Sequence, residues 1–377
     1  MTLLALETSC DETAIAILRG RELLASEVAS QVAAHQPYGG VVPEVASRHH
    51  LQHAPALLEH AIAQAGISLG EVDAFAATSG PGLASSLLIG ASLAKGLALG
   101  FAKPYLAINH LEGHLLSPFF GSEDEIKPNV SLIVSGGHTL LVEVKGVGDY
   151  RIVGRTLDDA AGEAFDKVAK MFGLAYPGGP EIERCAEGGD AARFDLPRSM
   201  LHSGDGNFSF SGLKTAVRYL LPKLVRSGEP RESVIPSGAE GEVEGSRGTT
   251  EKPHLLIRAS REGPPSFDCA QNGEKLCRDL CASFQRAVVD VLVAKTIAAA
   301  ASTQRDLVTV SGGVSRNRDL RAQMSLGCKA TGLQLRFPAP ELCTDNAAMI
   351  AFAASLHLER GASTPLTTEI DPNLALA

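Results

Sequence analysis

The sequence has no basic start, no Cys-x-x-Cys pair, no surplus of positive charge and no unbroken apolar run of membrane-spanning length. Each absence closes off a class. The N-terminus, MTLLALETSCDE, turns acidic within a dozen positions, so it reads as neither a signal nor a transit peptide. The stretch nearest to a span, PGLASSLLIGASLAKGLALGF at residues 81 to 101, is interrupted by Lys95, by serines and by an opening Pro-Gly, and reads as a buried core helix. Seven cysteines, an odd number, fit a reducing cytoplasm, and the one-turn spacing of Cys277 and Cys281 reads as core packing. A net charge of −9 argues against a general nucleic-acid coat protein while leaving room for a local basic stripe.

What is there is globular: 377 residues, 45% hydrophobic and 20% charged, a length for which two domains are the natural expectation. LLALETSCDETAIAIL near the start is an apolar run, a polar turn and a second, alternating run. Residues 130 to 145, VSLIVSGGHTLLVEVK, repeat that design, which suggests a duplicated α/β lobe. A further small-residue turn follows the apolar run in DLVTVSGGVSRNRDL, residues 306 to 320, where a helix begins. Such turns let backbone N–H groups and hydroxyls approach an anion, and several at strand ends in facing lobes point to a nucleotide cleft. Residues 228 to 266, rich in Gly, Pro, Ser and mixed charge, read as a flexible surface insert between helical segments.

INHLEGHLLS, residues 108 to 117, places His110 and His114 four apart, on one face of a helix, where both can grip one cation. It resembles the zinc-protease helix at first sight. In that motif, however, the glutamate directly follows the first histidine. Glu112 follows by two, about 200° round, and points away from any shared metal. A peptidase reading therefore lacks its base. Spacing alone also leaves the pair without a third ligand.

ETSCDET, GGVVPEVASRHH, NHLEGH, IVSGGHTLL, LDDAAGEAFDKVAK, YPGGP, FSFSGLKTAV, SGGVSRNRDLR and CTDNAAMIA, in that order between residue 2 and about residue 355, resemble the motifs of the TsaD family. These are tRNA N6-adenosine threonylcarbamoyltransferases, once described as sialoglycoprotein endopeptidases. The resemblance implies an α/β, actin-like ATPase fold of the sugar-kinase and Hsp70 type, with duplicated ribonuclease H-like lobes around a central cleft. The expected division is an N-terminal lobe over 1–115, completed by a C-terminal helix in 345–377, and a C-terminal lobe over 116–344 that carries the insert. The implied reaction moves a threonylcarbamoyl group from threonylcarbamoyl-AMP to N6 of the adenosine 3′ of the anticodon, in tRNAs reading codons that begin with A.

The resemblance also supplies the missing ligand. Its metal site matches His110, His114 and Asp345, a set that suits one divalent ion per subunit, Fe(II) favoured and Zn(II) the other candidate. Asp345 has a competing reading as N-cap of the helix in CTDNAAMIAFAASL, a place Thr344 can take instead. Ile133, Val134, Ser135, Gly136 and Gly137 are expected along the donor, with Ser135 and the glycine amides near phosphate. Asp166 and Gly179 are expected at the nucleoside sugar, with Glu183 near it where many relatives carry aspartate, and Asn317 at the adenine edge, with helix capping as its alternative. Asp11, beside Glu12 on the first hairpin, is the candidate base for the attacking adenine amine.

For tRNA, Arg48, His49 and His50 form one candidate basic cluster, and Arg316, Arg318 and Arg321 another. The family works with a shorter paralogue, TsaB, and an ATPase, TsaE; no membrane is implied, and the expected location is the cytoplasm. The competing classes are a small-molecule kinase on the same fold, a peptidase and a non-catalytic scaffold.

Overall fold

A computed structural model of the chain describes residues 1–122, 125–227 and 273–376; the insert expected at 228–266 falls outside them. The first half opens with β1 (Thr2–Glu7), β2 (Glu12–Arg19) and β3 (Glu22–Ser30), an antiparallel meander. Helices α1 (Val32–His35) and α2 (Pro43–Ala65) lead to β4 (Ala74–Gly80), α3 (Ala84–Phe101), β5 (Tyr105–Asn109) and α4 (His110–Leu116). The second half repeats the plan with β6 (Asn129–Val134), β7 (Thr139–Gly146) and β8 (Asp149–Arg155), then α5 (Ala161–Met171), α6 (Gly178–Ala186), α7 (Ser211–Ser227) and α8 (Glu274–Thr303). It closes with β9 (Leu307–Ser311), α9 (Arg318–Thr331), β10 (Gln334–Arg336) and α10 (Ala347–Glu359).

The sheets run β3-β2-β1-β4-β5 and β8-β7-β6-β9-β10. In each, the meander is antiparallel and the following strands are parallel to the first, so the expected duplication is present strand for strand. Alternation along the strands decides what each face buries. Leu4, Leu6, Ile15 and Ile17 turn outward to a core with α2 and α3, whereas Leu3, Ala5, Ala14 and Ala16 turn inward. In the second sheet Val130, Leu132 and Val134 face the helices from α5 to α9, while Ile133, Val142 and Val144 face inward. The inward faces meet a middle layer made of α4 and α10. Because α10 is sandwiched between the first sheet and α4, which in turn meets β6 and β9, it is buried all round from Ala347 to Leu356, and its alanines let the layers approach. This middle layer holds the metal-ligand candidates.

The helix over 81–101 differs from its expectation. Helix α3 packs its small face, Ser86, Gly90, Ala91, Ala94 and Ala98, against β4 and α2, yet Leu88 and Leu99 are exposed. It is therefore half-packed and not buried. Among the described residues it is the one helix long and apolar enough to cross a membrane, with a third of its length buried.

Candidate functional site

At the end of β5, Asn109 leaves the strand and caps α4, its side chain accepting from the Leu111 N–H. This sets His110 at the first helical position and His114 one turn on, their ring centroids 4.8 Å apart. Gly113 lies between them. A side chain there would sit 2.9 Å from Ile350 Cδ1 and 3.1 Å from Met349 Cγ, so its absence lets α4 press onto α10. The contact brings Asp345, two residues before α10, to the histidines: its Oδ1 is 3.1 Å from His114 Nε2 and 3.5 Å from His110 Nε2.

Asp345 does not cap the helix, and neither does Thr344. Asn346 does, accepting from the Met349 N–H. The Asp345 carboxylate is thus left to the imidazoles. Burial would raise its pKa, but His110 and His114 hold it well below the usual carboxylate range. The donor atoms of the three lie within 4.8 Å of one another. Ligands bound at about 2.0–2.2 Å around one ion stand about 3.0–3.5 Å apart, the spacing of both imidazole nitrogens from Asp345. Nitrogen and oxygen donors in that arrangement fit a divalent ion.

Glu7, at the end of β1 and fully buried, went unsuspected in the sequence. Its Oε2 lies 3.0 Å from His110 Nδ1 and 2.6 Å from the Thr78 hydroxyl, and its Oε1 accepts from the Ser9 N–H. A carboxylate on Nδ1 fixes the ring and leaves Nε2 facing Asp345. Burial disfavours charge on His110, yet Asp345 and Glu7 outweigh it and lift its pKa to about 9. His138, 6.3 Å from the His110 ring, behaves oppositely: burial and the two histidines lower it to about 4, so it faces the site neutral. Glu112 points away as helix geometry requires, accepting from the Tyr150 hydroxyl and from His357 Nε2 beside a cavity of about 320 Å³ behind α4.

In the turn between β6 and β7, the Ser135 hydroxyl accepts from the His138 N–H, and Gly136 and Gly137 are exposed with open space where a side chain would stand. Helix α5 starts hard against this turn; a Cβ on Gly162 would lie 2.5 Å from the Ser135 carbonyl oxygen. The N-terminus of an eleven-residue helix therefore abuts the open amides, an arrangement favourable to anions. Ile133 and Val134 have fully buried side chains, one in each core, so only their backbone borders the turn.

Asp166 on α5 accepts from the Gly178 N–H at 2.7 Å and lines a cavity of about 160 Å³ with Gln36, Gly39, Lys170 and Tyr176, so residues of both halves meet there. Gly179 faces open space, while Gly178 is the position where a side chain would strike α5, 2.5 Å from Ala169 Cβ. Burial, with Asp11 and Glu163 adding, raises the Asp166 carboxyl to about 6 against the Gly178 hydrogen bond. The folded chain therefore binds this proton more readily than the unfolded chain, and the ionised group costs stability at neutral pH. Asp166→Asn keeps the acceptor for Gly178 and removes the charge. Its thermal midpoint is expected above that of the wild type at about pH 7.5, with the gap narrowing toward about pH 5, as calorimetry at both values would show.

On the first hairpin, burial and the neighbouring Asp11 push Glu12 up to about 10, so it is a neutral acid at pH 7 and no base. Asp11 and Asp166 also act on Tyr176, which places them around one space. Two further groups expected at the ligand hold partners within the chain. Glu183 accepts from the Arg318 N–H and Nε, at 2.9 and 2.8 Å, and Asn317 caps α9 and donates to Gln285. Of the basic clusters, His50 is buried against Thr13 and the Cys10 carbonyl, Arg321 lies over Phe337 and donates to the Ser315 carbonyl, and Arg318 is tied to acids; Arg48 and Arg316 are exposed. His50 leaves the basic stripe for a physical reason: at Ala46, His50, Ala54, Leu57 and Ala61 it shares the inward face of α2.

A family model described as TsaD, tRNA N6-adenosine threonylcarbamoyltransferase, matches residues 22–352. The tRNA N6-adenosine threonylcarbamoyltransferase of Cyanothece sp. is 45% identical over 380 residues, covering 100% of this chain and 97% of that protein. The protein of that name from Burkholderia thailandensis is 48% identical, covering 96% of this chain and 93% of its own. Full-length HypF, solved in a phosphate- and nucleotide-bound form, superposes with a TM-score of 0.57 at 12% identity over 96% of this chain and 47% of its own, a likeness of fold, which is the actin-like α/β architecture. With near-complete coverage by such relatives, the chain belongs to the TsaD family of tRNA N6-adenosine threonylcarbamoyltransferases.

Proposed function

We propose that the chain transfers a threonylcarbamoyl group from threonylcarbamoyl-AMP to N6 of the adenosine 3′ of the anticodon, in tRNAs reading codons that begin with A. The observation that carries this reading is the meeting of His110, His114 and Asp345 beside the open turn at Ser135 to Gly137. His110, His114 and Asp345 would hold one divalent ion, Fe(II) favoured over Zn(II), which supplies a Lewis acid and template for phosphate oxygens. The amides of Gly136 and Gly137, with the α5 N-terminus behind them, receive the phosphate of the donor. Asp166 accepts from the sugar hydroxyls in the cavity between the halves, with Gly179 giving open approach.

The adenine amine attacks the carbamoyl carbon of a mixed anhydride. The C–N bond forms, the bond to the phosphate oxygen breaks, AMP leaves, and a proton departs from N6. Its lone pair is delocalised into the ring, so holding amine and carbon in line matters most. Asp11 takes the proton in this reading; Glu12 keeps its own and steadies Asp11 by hydrogen bonding. The base must leave its stack to reach the cleft. Exposed Arg48 and Arg316 are the remaining candidates for phosphate contacts along the tRNA.

Residues 1–115 with 345–377 form one lobe and 116–344 the other in this reading, and a TsaB paralogue and a TsaE ATPase are the partners in the cytoplasm. The test is incubation of the purified chain, alone and with a TsaB paralogue, with threonylcarbamoyl-AMP and unmodified tRNA. Nucleoside mass spectrometry should find threonylcarbamoyl-adenosine without added ATP; in a parallel incubation with ATP, its consumption with no modified nucleoside would instead favour a kinase.

A further inference from the structure

Helices α6 and α8 carry thiols that the transfer chemistry does not use. Cys185 on α6 and Cys281 on α8 are both free, and their sulfurs lie within 4.8 Å of each other and of Cys277. Cys277 is disulfide-bonded, so the trio does not offer the thiolates that a soft-metal cage needs. The two helices are pressed together at this level: a Cβ on Gly189, just past α6, would lie 2.3 Å from the carbonyl oxygen of Arg278, between Cys277 and Cys281. Cys185 is half-buried and reachable from solvent, whereas Cys281 is fully buried behind it.

We propose that Cys185 and Cys281 are a peroxide-oxidised pair that closes reversibly to a disulfide between α6 and α8. Their contact divides the labour. The Cys281 thiol stands within 4.8 Å of the Cys185 sulfur, and this neighbour, followed by the nearby Arg184 and Arg278, holds Cys185 below the usual thiol range against partial burial. The same contact and its burial push Cys281 far up. Cys185 is therefore the nucleophile and Cys281 the resolving thiol. In the first step the Cys185 thiolate attacks one oxygen of hydrogen peroxide: an S–O bond forms, the O–O bond breaks and hydroxide leaves, so sulfur is oxidised and peroxide reduced. In the second, the Cys281 sulfur attacks that of Cys185: the S–S bond forms, the S–O bond breaks, and water leaves carrying the Cys281 proton. The product ties the helix that begins beside Asp166 to the long helix behind it.

The sequence makes the test direct. Trypsin cuts after Lys275, Arg278 and Arg286, so Cys277 and Cys281 fall on different peptides. The full chain would be treated with hydrogen peroxide, alkylated, digested without reductant and mapped by mass spectrometry. A Cys185–Cys281 linked peptide is expected, and dithiothreitol should abolish it while buried Cys328 stays a thiol throughout. In Cys281→Ser, Cys185 should accumulate as sulfinic acid for want of a resolving thiol. In Cys185→Ser, a change at a half-exposed position, Cys281 should remain reduced. Over-oxidised Cys185 beside a surviving Cys281 thiol in the wild type would overturn the proposal, as would a Cys185–Cys277 link in place of the expected one.

Discussion

Asp345→Ala should abolish divalent-ion binding at the proposed site and lower transfer by about a thousandfold, several kcal/mol of the barrier. The expectation follows from the donor set. Two imidazoles on one helix turn bind an ion weakly, and the carboxylate from the head of α10 is the group that closes the set. It also balances charge: with Asp345 gone, the raised His110 keeps Glu7 as its anionic neighbour among the described residues. Asn346, not Asp345, caps α10, so the substitution leaves the helix start intact and loss of metal would not be a secondary effect of unfolding. Metal analysis and nucleoside mass spectrometry on the same preparation check both parts. Glu7→Gln provides a graded comparison. It keeps an oxygen near His110 Nδ1 but removes the charge that orients the ring, and metal affinity should fall about 10- to 100-fold with the fold preserved. Equal affinity in Glu7→Gln and wild type would mean that the ring is held by packing alone.

Elements whose cause is local could be read in the sequence. The hairpins at ETSCDET and IVSGGHT announce themselves by alternation around a small polar turn, and their repetition exposes the duplicated lobes. Groups whose cause lies far along the chain could not. Glu7 looks like a turn residue in ETSCDET, because its partner His110 is 103 positions away. The capping of α10 illustrates a finer limit: Thr344, Asp345 and Asn346 are all good N-caps, and only the packing of α10 against α4 selects Asn346 and frees the aspartate. Glu183 and Arg318, 135 positions apart, spend each other, as do Asn317 and Gln285. His50 is a different kind of miss. Its burial is legible in the helical period of α2, which sets it on the face of Ala46, Ala54 and Ala61 and away from exposed Arg48.

Gly312→Ala should lower the thermal midpoint by about 3–5 °C and raise the KM for the donor at least about tenfold, while the metal content stays at the wild-type level. Gly312 directly follows β9 with φ of +89°, a conformation that an L side chain resists. A Cβ there would also stand 2.5 Å from the carbonyl oxygen of Val134 and 2.8 Å from its carbon. Val134 ends β6, and β6 and β9 are parallel neighbours with Ile133 opposite Ser311. The methyl group must therefore part the ends of adjacent strands, costing about 2–4 kcal/mol when backbone strain and overpacking are added. From those ends spring the turn at Ser135 to Gly137 and the turn that leads through Asn317 into α9, so their separation opens the proposed phosphate site. The proposed metal ligands stand on other elements, α4 and the approach to α10, and should not notice. Gly136→Ala supplies the contrast, since its added Cβ meets nothing within 4 Å and should cost little stability. A Gly312→Ala chain that kept its donor KM while melting early would separate the phosphate site from the strand ends, and would place donor recognition instead in the cavity around Asp166.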